Sequence, residues 1–125
     1  PAADGPILDL CTGTGDLALV YDRAAAGAVP IVGADFCPEM LVRAGEKARA
    51  AGAAGRVTFV EADAQSLPFA SESFQLVTNA FGLRNITDTD RGLAEMVRVL
   101  RPGGRLAVLE FSKPRHWFFG RMYRA

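Results

Sequence analysis

A glycine turn, Gly13-Thr14-Gly15, directly follows the apolar run Pro6-Ile7-Leu8-Asp9-Leu10-Cys11 and precedes Asp16, a residue that can cap or begin a helix. Glycines let a ligand approach the backbone, and the free amides of a helix start attract a negative group. Gly13-x-Gly15-x-x-Ala18 satisfies the dinucleotide fingerprint, and Asp35 follows at the spacing of about 20 residues expected of a ribose-binding acid. On these residues alone a nicotinamide-binding domain fits as well as any other, and a tight turn without a ligand is the plain alternative. Asp63 breaks the tie. With Ala64 it closes a third apolar run, where a carboxylate can accept a hydrogen bond from an adenine amino group. Its other reading is a solvated loop residue.

The elements that must position these residues follow from periodicity. Strands are predicted at residues 6–11, 29–36, 56–63, 74–81 and 105–111. The first helix carries Leu17, Val20, Tyr21 and Ala24 on one face and stops at Gly27. The second starts with Pro38 at its first position behind a poor cap, Cys37, carries Met40, Leu41, Ala44, Ala48 and Ala51, and ends at Gly52. Residues 64–73 read as a loop. Thr87-x-x-Asp90 resembles a capping box for a third helix with Leu93, Met96, Val97 and Leu100, which Arg101-Pro102-Gly103-Gly104 breaks. Strands alternating with helices imply a doubly wound α/β fold, a mostly parallel sheet with helices on both faces. Right-handed crossovers bring the carboxyl ends of the strands to one edge, where ligands bind. Asp9, Asp35, Asp63, Asn79 and Glu110 all fall at or close to those ends.

Composition bounds the rest. The 125 residues fit one domain, and 50% hydrophobic with 22% charged residues is ordinary for a globular chain. Fourteen basic residues balance fourteen acidic ones, so the basic excess of a nucleic-acid binder is missing. No apolar run approaches the ~20 residues of a membrane span. Cys11 and Cys37 form no CxxC pattern, which excludes a disulfide scaffold and suits a reducing compartment. One histidine and two cysteines do not make a His/Cys metal site, so no metal is expected. The chain starts without Met, and a strand begins close to Pro1, so it reads as an excerpt of a longer protein.

Asp9-Leu10-Cys11-Thr12-Gly13-Thr14-Gly15-Asp16 resembles the first motif of class I S-adenosylmethionine-dependent methyltransferases, and Gly33-Ala34-Asp35-Phe36 with Met40-Leu41 resembles the second. Asp63-Ala64-Gln65-Ser66-Leu67-Pro68-Phe69, Phe81-Gly82-Leu83-Arg84-Asn85 and Arg98-Val99-Leu100-Arg101-Pro102-Gly103-Gly104-Arg105 through Leu109-Glu110-Phe111-Ser112-Lys113-Pro114 are narrower. They are similar to the ubiquinone/menaquinone-biosynthesis C-methyltransferases, the demethylmenaquinone methyltransferase group. The resemblance implies a Rossmann-like methyltransferase core over residues 1–114, truncated at both ends. It places Asp9, Cys11, Gly13, Thr14, Gly15, Asp35, Phe36, Asp63, Ala64, Asn79 and Ala80 around the cofactor. Thr14 and its neighbouring amides would hold the methionine part, Asp35 the ribose hydroxyls, and Asp63 and Ala64 the adenine. Many family members have Ser where this chain has Ala80, and Ser is also common where it has Cys37.

The implied reaction is attack of an aromatic ring carbon on the sulfonium methyl group of S-adenosyl-L-methionine, which leaves S-adenosyl-L-homocysteine. Arg84 and Asn85 are the catalytic candidates. Arginine stays protonated, so Arg84 stabilises the developing phenolate rather than acting as a base. An ion pair with Asp88 or Asp90 is its other reading. Glu110 either orders polar groups at the same edge or is structural. Residues 115–125 are read as the start of a C-terminal helix with Phe118, Phe119, Met122 and Tyr123 on one face. Packing on the protein is the favoured role, and receiving a prenyl tail or touching a membrane surface is the one the family implies. His116 is read as a surface residue. The expected substrate is a prenylated quinol, and the expected location is the cytoplasm, including the inner face of the membrane. An unprotected fifth strand is expected to drive self-association into a homo-oligomer. The competing readings are another small-molecule methyltransferase, a nicotinamide-dependent dehydrogenase, and a cofactor-binding fragment without activity.

Overall fold

Apolar strands entering glycine or polar turns build the sheet. The computed structural model describes residues 5–80, 86–113, 116–118 and 122–124. In chain order the elements are β1 (Ile7–Leu10), α1 (Asp16–Ala24), β2 (Ile31–Asp35), α2 (Pro38–Ala50), β3 (Val57–Glu61), β4 (Phe74–Ala80), α3 (Thr89–Arg98), β5 (Leu100–Lys113), β6 (His116–Phe118) and β7 (Met122–Arg124). The sheet order is β3-β2-β1-β4-β5-β6, with β7 also on β5. Strands β1 to β5 are parallel to one another. The chain winds outward from β1 to β3 and then returns to place β4 on β1's other side. The order therefore reverses between β1 and β4, the switch point at which such sheets bind ligands. Leu10 lies opposite both Ala34 and Asn79, so the residues after β1, β2 and β4 emerge together at one edge.

Each face of the sheet carries its own core. One cluster contains Leu8, Leu10, Val77, Met96, Val99 and Leu106, and α3 covers it. The other contains Ala18, Leu19, Ile31, Ala48 and Val57, under α1 and α2. The helices on both faces agree with the doubly wound expectation.

Several helix details differ from the sequence reading. On α1 the buried residues are Ala18, Leu19 and Asp22, while Leu17 and Val20 are 36% and 43% exposed. The cause is Asp22, which periodicity assigns to the solvent face. Arg56 donates to its two oxygens from Nε and Nη2, each at 3.0 Å. A paired carboxylate can be buried, and the Arg56 guanidinium holds Asp22 below the usual carboxylate range. On α2, Pro38 is at the start as expected, but only Ala44 and Ala48 are buried and Met40 is 42% exposed. The cap of α3 is Asp88, not Thr87: its side chain accepts from the Arg91 N–H at 3.1 Å. Val97 is exposed, and Leu100 belongs to β5 rather than to the helix. Residues 101–104 interrupt a strand that has already begun, since the register passes from Phe74 opposite Leu100 to Leu76 opposite Arg105.

The C-terminal expectation is corrected. Residues 116–118 and 122–124 form strands antiparallel to β5, so Phe118, Met122 and Tyr123 stand in strands rather than on the face of a helix; Phe119 lies outside the described residues. The outer edge of β5 carries unpaired amides and carbonyls, and a segment rich in aromatic residues is a good strand former. The chain covers its own edge. β7 pairs with β5 at residues 105–107 and β6 pairs with it at 110, 111 and 113, so the edge of the fifth strand is not bare there.

Candidate functional site

The turn after β1 is tightly held. Cys11 adopts φ 60, a left-handed value uncommon for a residue with a Cβ. The Thr12 N–H donates to the Ala34 carbonyl at 2.9 Å, and the Gly15 N–H donates to the Thr12 carbonyl at 3.0 Å. The two glycines of the turn do different work. A Cβ at Gly13 would meet nothing within 4 Å, so its backbone faces open space. A Cβ at Gly15 would lie 2.9 Å from the Phe59 ring and 3.0 Å from the Ala44 Cβ, so that glycine serves packing. The Thr14 hydroxyl accepts from Lys47 Nζ at 3.0 Å, and Lys47 also pairs with Asp16 at 2.7 Å.

Asp35, at the end of β2, ties two loops together. Its Oδ2 accepts from the Gly13 N–H at 2.8 Å and its Oδ1 from the Cys37 N–H at 2.9 Å. Asp63 is exposed but fixed: its Oδ1 accepts from the Gln65 N–H at 2.9 Å and from Gln65 Nε2 at 3.3 Å. Gln65 in turn receives the Asp88 N–H on its Oε1 and Arg91 Nε on its carbonyl, at 2.9 and 3.1 Å. The loop after β3 is thereby fastened to the start of α3.

A cleft of about 290 Å³ opens at this edge, lined by Leu10, Cys11, Asp35, Phe36, Ala62, Asp63, Ala64, Gln65, Ile86 and Thr87. Of the residues expected around a cofactor, Cys11, Asp35, Phe36, Asp63 and Ala64 line it. Asp9, Gly13, Thr14, Gly15, Asn79 and Ala80 do not. Arg84 and Asn85 lie outside the described residues. Phe36 is 73% exposed, an aromatic face left bare at the mouth. Sequence reasoning did not single out Leu10, Ala62, Ile86 or Thr87 for the site. Gln65 stood inside a quoted motif without a role, and Ile86 directly follows another, so motif edges were the available signal.

Asp9 does not reach the cleft. It is 2% exposed and accepts from the hydroxyls of Thr12 and Thr78, each at 2.8 Å. Burial pushes its carboxyl above the usual range, the two hydroxyls oppose that, and the nearby Asp35 charge adds to it. Folding thus makes this carboxyl hold its proton more tightly than in the unfolded chain. That contribution is complete below the unfolded pKa of 3.8 and is lost as pH rises through the raised folded value. Asp9→Asn removes this titration, and the groups that do not feel the Asp9 charge cancel between the two proteins. In urea unfolding, the stability of Asp9→Asn relative to wild type is expected to rise between pH 3.5 and pH 7. A difference independent of pH would contradict it.

The sequence profile of the ubiE/COQ5 methyltransferase family matches residues 2–125. The chain belongs to this family. It is 55% identical over 118 residues to the demethylmenaquinone methyltransferase of Thermus thermophilus, covering 94% of this chain and 52% of that protein. It is 46% identical over 122 residues to a ubiquinone/menaquinone biosynthesis C-methyltransferase of Geotalea daltonii, covering 98% of this chain and 52% of the relative. The chain therefore spans about half the length of these ubiE/COQ5 relatives. Among solved structures, the [4+2]-cyclase SpnF superposes with a TM-score of 0.80 at 36% identity, over 86% of this chain and 39% of the other. A cyclase on the same sheet shows that this fold positions a site without dictating its reaction.

Proposed function

We propose that this chain is the cofactor-binding core of an S-adenosylmethionine-dependent C-methyltransferase whose acceptor is a prenylated quinol. The observation that carries the reading is the cleft itself: Asp35, Phe36, Asp63 and Ala64 line it beside the open Gly13 turn. The residues suit the cofactor. Asp35 offers its remaining lone pairs to ribose hydroxyls. Asp63 accepts from an adenine amino group, and Phe36 and Ala64 offer apolar surface to the ring. Two carboxylates and, among the described residues, no lysine or arginine line the cleft. That balance favours a cationic, phosphate-free ligand over a pyrophosphate.

The bound cofactor supplies an electrophilic methyl group. The protein aligns it with the acceptor and supplies electrostatics. We assign Arg84 to stabilising the phenolate that develops on the quinol, and Asn85 to the same edge. The location that accords with a prenylated substrate is the cytoplasmic face of a membrane. Among the described residues no helix is long and apolar enough to cross one.

Calorimetry tests the cofactor. The chain is expected to bind S-adenosylhomocysteine and to give no heat with NAD. Binding of NAD in preference would return the glycine turn to the dehydrogenase reading. Methyl transfer to a demethylmenaquinol analogue, assayed on a protein of the relatives' length, tests the acceptor.

A further inference from the structure

We infer that Thr78, acting through Asp9, is a positioning residue: a buried hydrogen-bond chain running from β4 through β1 to Thr12 holds the glycine turn in its ligand-receiving shape. The inference rests on the cofactor reading above. Asp9, Thr12 and Thr78 are 2%, 8% and 7% exposed, and none of them lines the cleft. Both Asp9 oxygens are used, Oδ2 by the Thr12 hydroxyl and Oδ1 by the Thr78 hydroxyl. Thr78 donates to the carboxylate from β4, and Thr12 donates to it from the turn. Such a carboxylate acts as an acceptor for two elements at once, and low dielectric strengthens each bond.

What the chain holds is Thr12. Its hydroxyl sits in room that the glycine at 33 leaves, since a Cβ there would come within 2.8 Å of that oxygen. Its amide and carbonyl pair with Ala34 and Gly15, and the next amide, that of Gly13, pairs with Asp35. Directly before it stands Cys11 at φ 60. An uncommon backbone conformation persists only where the surroundings over-determine it. The buried chain supplies that constraint from beneath, on the side away from the ligand.

The test removes single hydroxyls with little change of shape. Thr78→Val is expected to weaken S-adenosylhomocysteine binding about tenfold, and Thr78→Ser to recover most of the loss. Amide hydrogen exchange in the ligand-free protein gives the second readout. The Gly13 and Gly15 amides should exchange about tenfold faster in Thr78→Val, with Leu8 and Ala34 unchanged. Exchange that rises equally across the sheet, or turn amides and affinity both at wild-type values, would overturn the inference. If wild type itself binds no S-adenosylhomocysteine, the cofactor reading fails, and the exchange pattern still decides whether the chain holds the turn. Thr12→Val, which removes the other hydroxyl donated to Asp9, keeps the test open should Thr78→Val not fold.

Discussion

Asp35→Ala is expected to weaken S-adenosylhomocysteine binding by about 10²-fold, the equivalent of about 3 kcal/mol. The ribose hydroxyls supply part of that loss. The structure adds a second part, because the same carboxylate accepts the Gly13 and Cys37 amides at 2.8 and 2.9 Å. Removing it frees the turn after β1 from the loop after β2, so the ligand loses both a partner and a shaped backbone. Asp35→Asn keeps one acceptor oxygen and should fall between the two. Calorimetry reads the affinities, and urea unfolding reads how much of the change is folding. Unaltered affinity in Asp35→Ala would remove Asp35 from the site.

Gly15→Ala is expected to destabilise the fold by about 2–4 kcal/mol. Two costs add. The backbone there has φ 84, which a side chain resists, and the new Cβ would press on the Phe59 ring and on Ala44 at 2.9 and 3.0 Å. Phe59 belongs to β3 and Ala44 to α2, so neither can withdraw without disturbing the core under α1 and α2. Gly13→Ala makes the contrast. It has a similar backbone angle, φ 59, but open space around it. Its stability cost is expected to be about 1 kcal/mol, with the larger loss in ligand affinity. Urea midpoints separate the two. A Gly15→Ala protein within about 0.5 kcal/mol of wild type would show that β3 and α2 give way more easily than their packing implies.

Much of the fold was legible because its signals are local. The strands at β1 to β4, Pro38 at the start of α2, and the loop between β3 and β4 follow from runs and punctuation that neighbouring residues set. The C-terminal segment was not legible in that way. Trp117, Phe118 and Tyr123 permit helix or strand, and the unpaired side of β5 chose between them. The exposed Leu17 and buried Asp22 have the same kind of cause, since Arg56 stands 34 residues from its partner.

Spacing along the chain and strand direction suffice for the βα alternation, the glycine turn, and the acids that close the strands at one edge. The sequence also carried the family, through motifs such as Gly13-Thr14-Gly15-Asp16 and Leu109-Glu110-Phe111-Ser112-Lys113-Pro114. Tertiary structure decided what each acid does. Asp9, Asp35 and Asp63 look alike in the chain, yet one is buried under two hydroxyls, one bridges two loops at the cleft, and one is fixed at its exposed rim. A carboxylate's role depends on its donors and its distance from water, and strand register and crossovers set both from residues far away in the sequence.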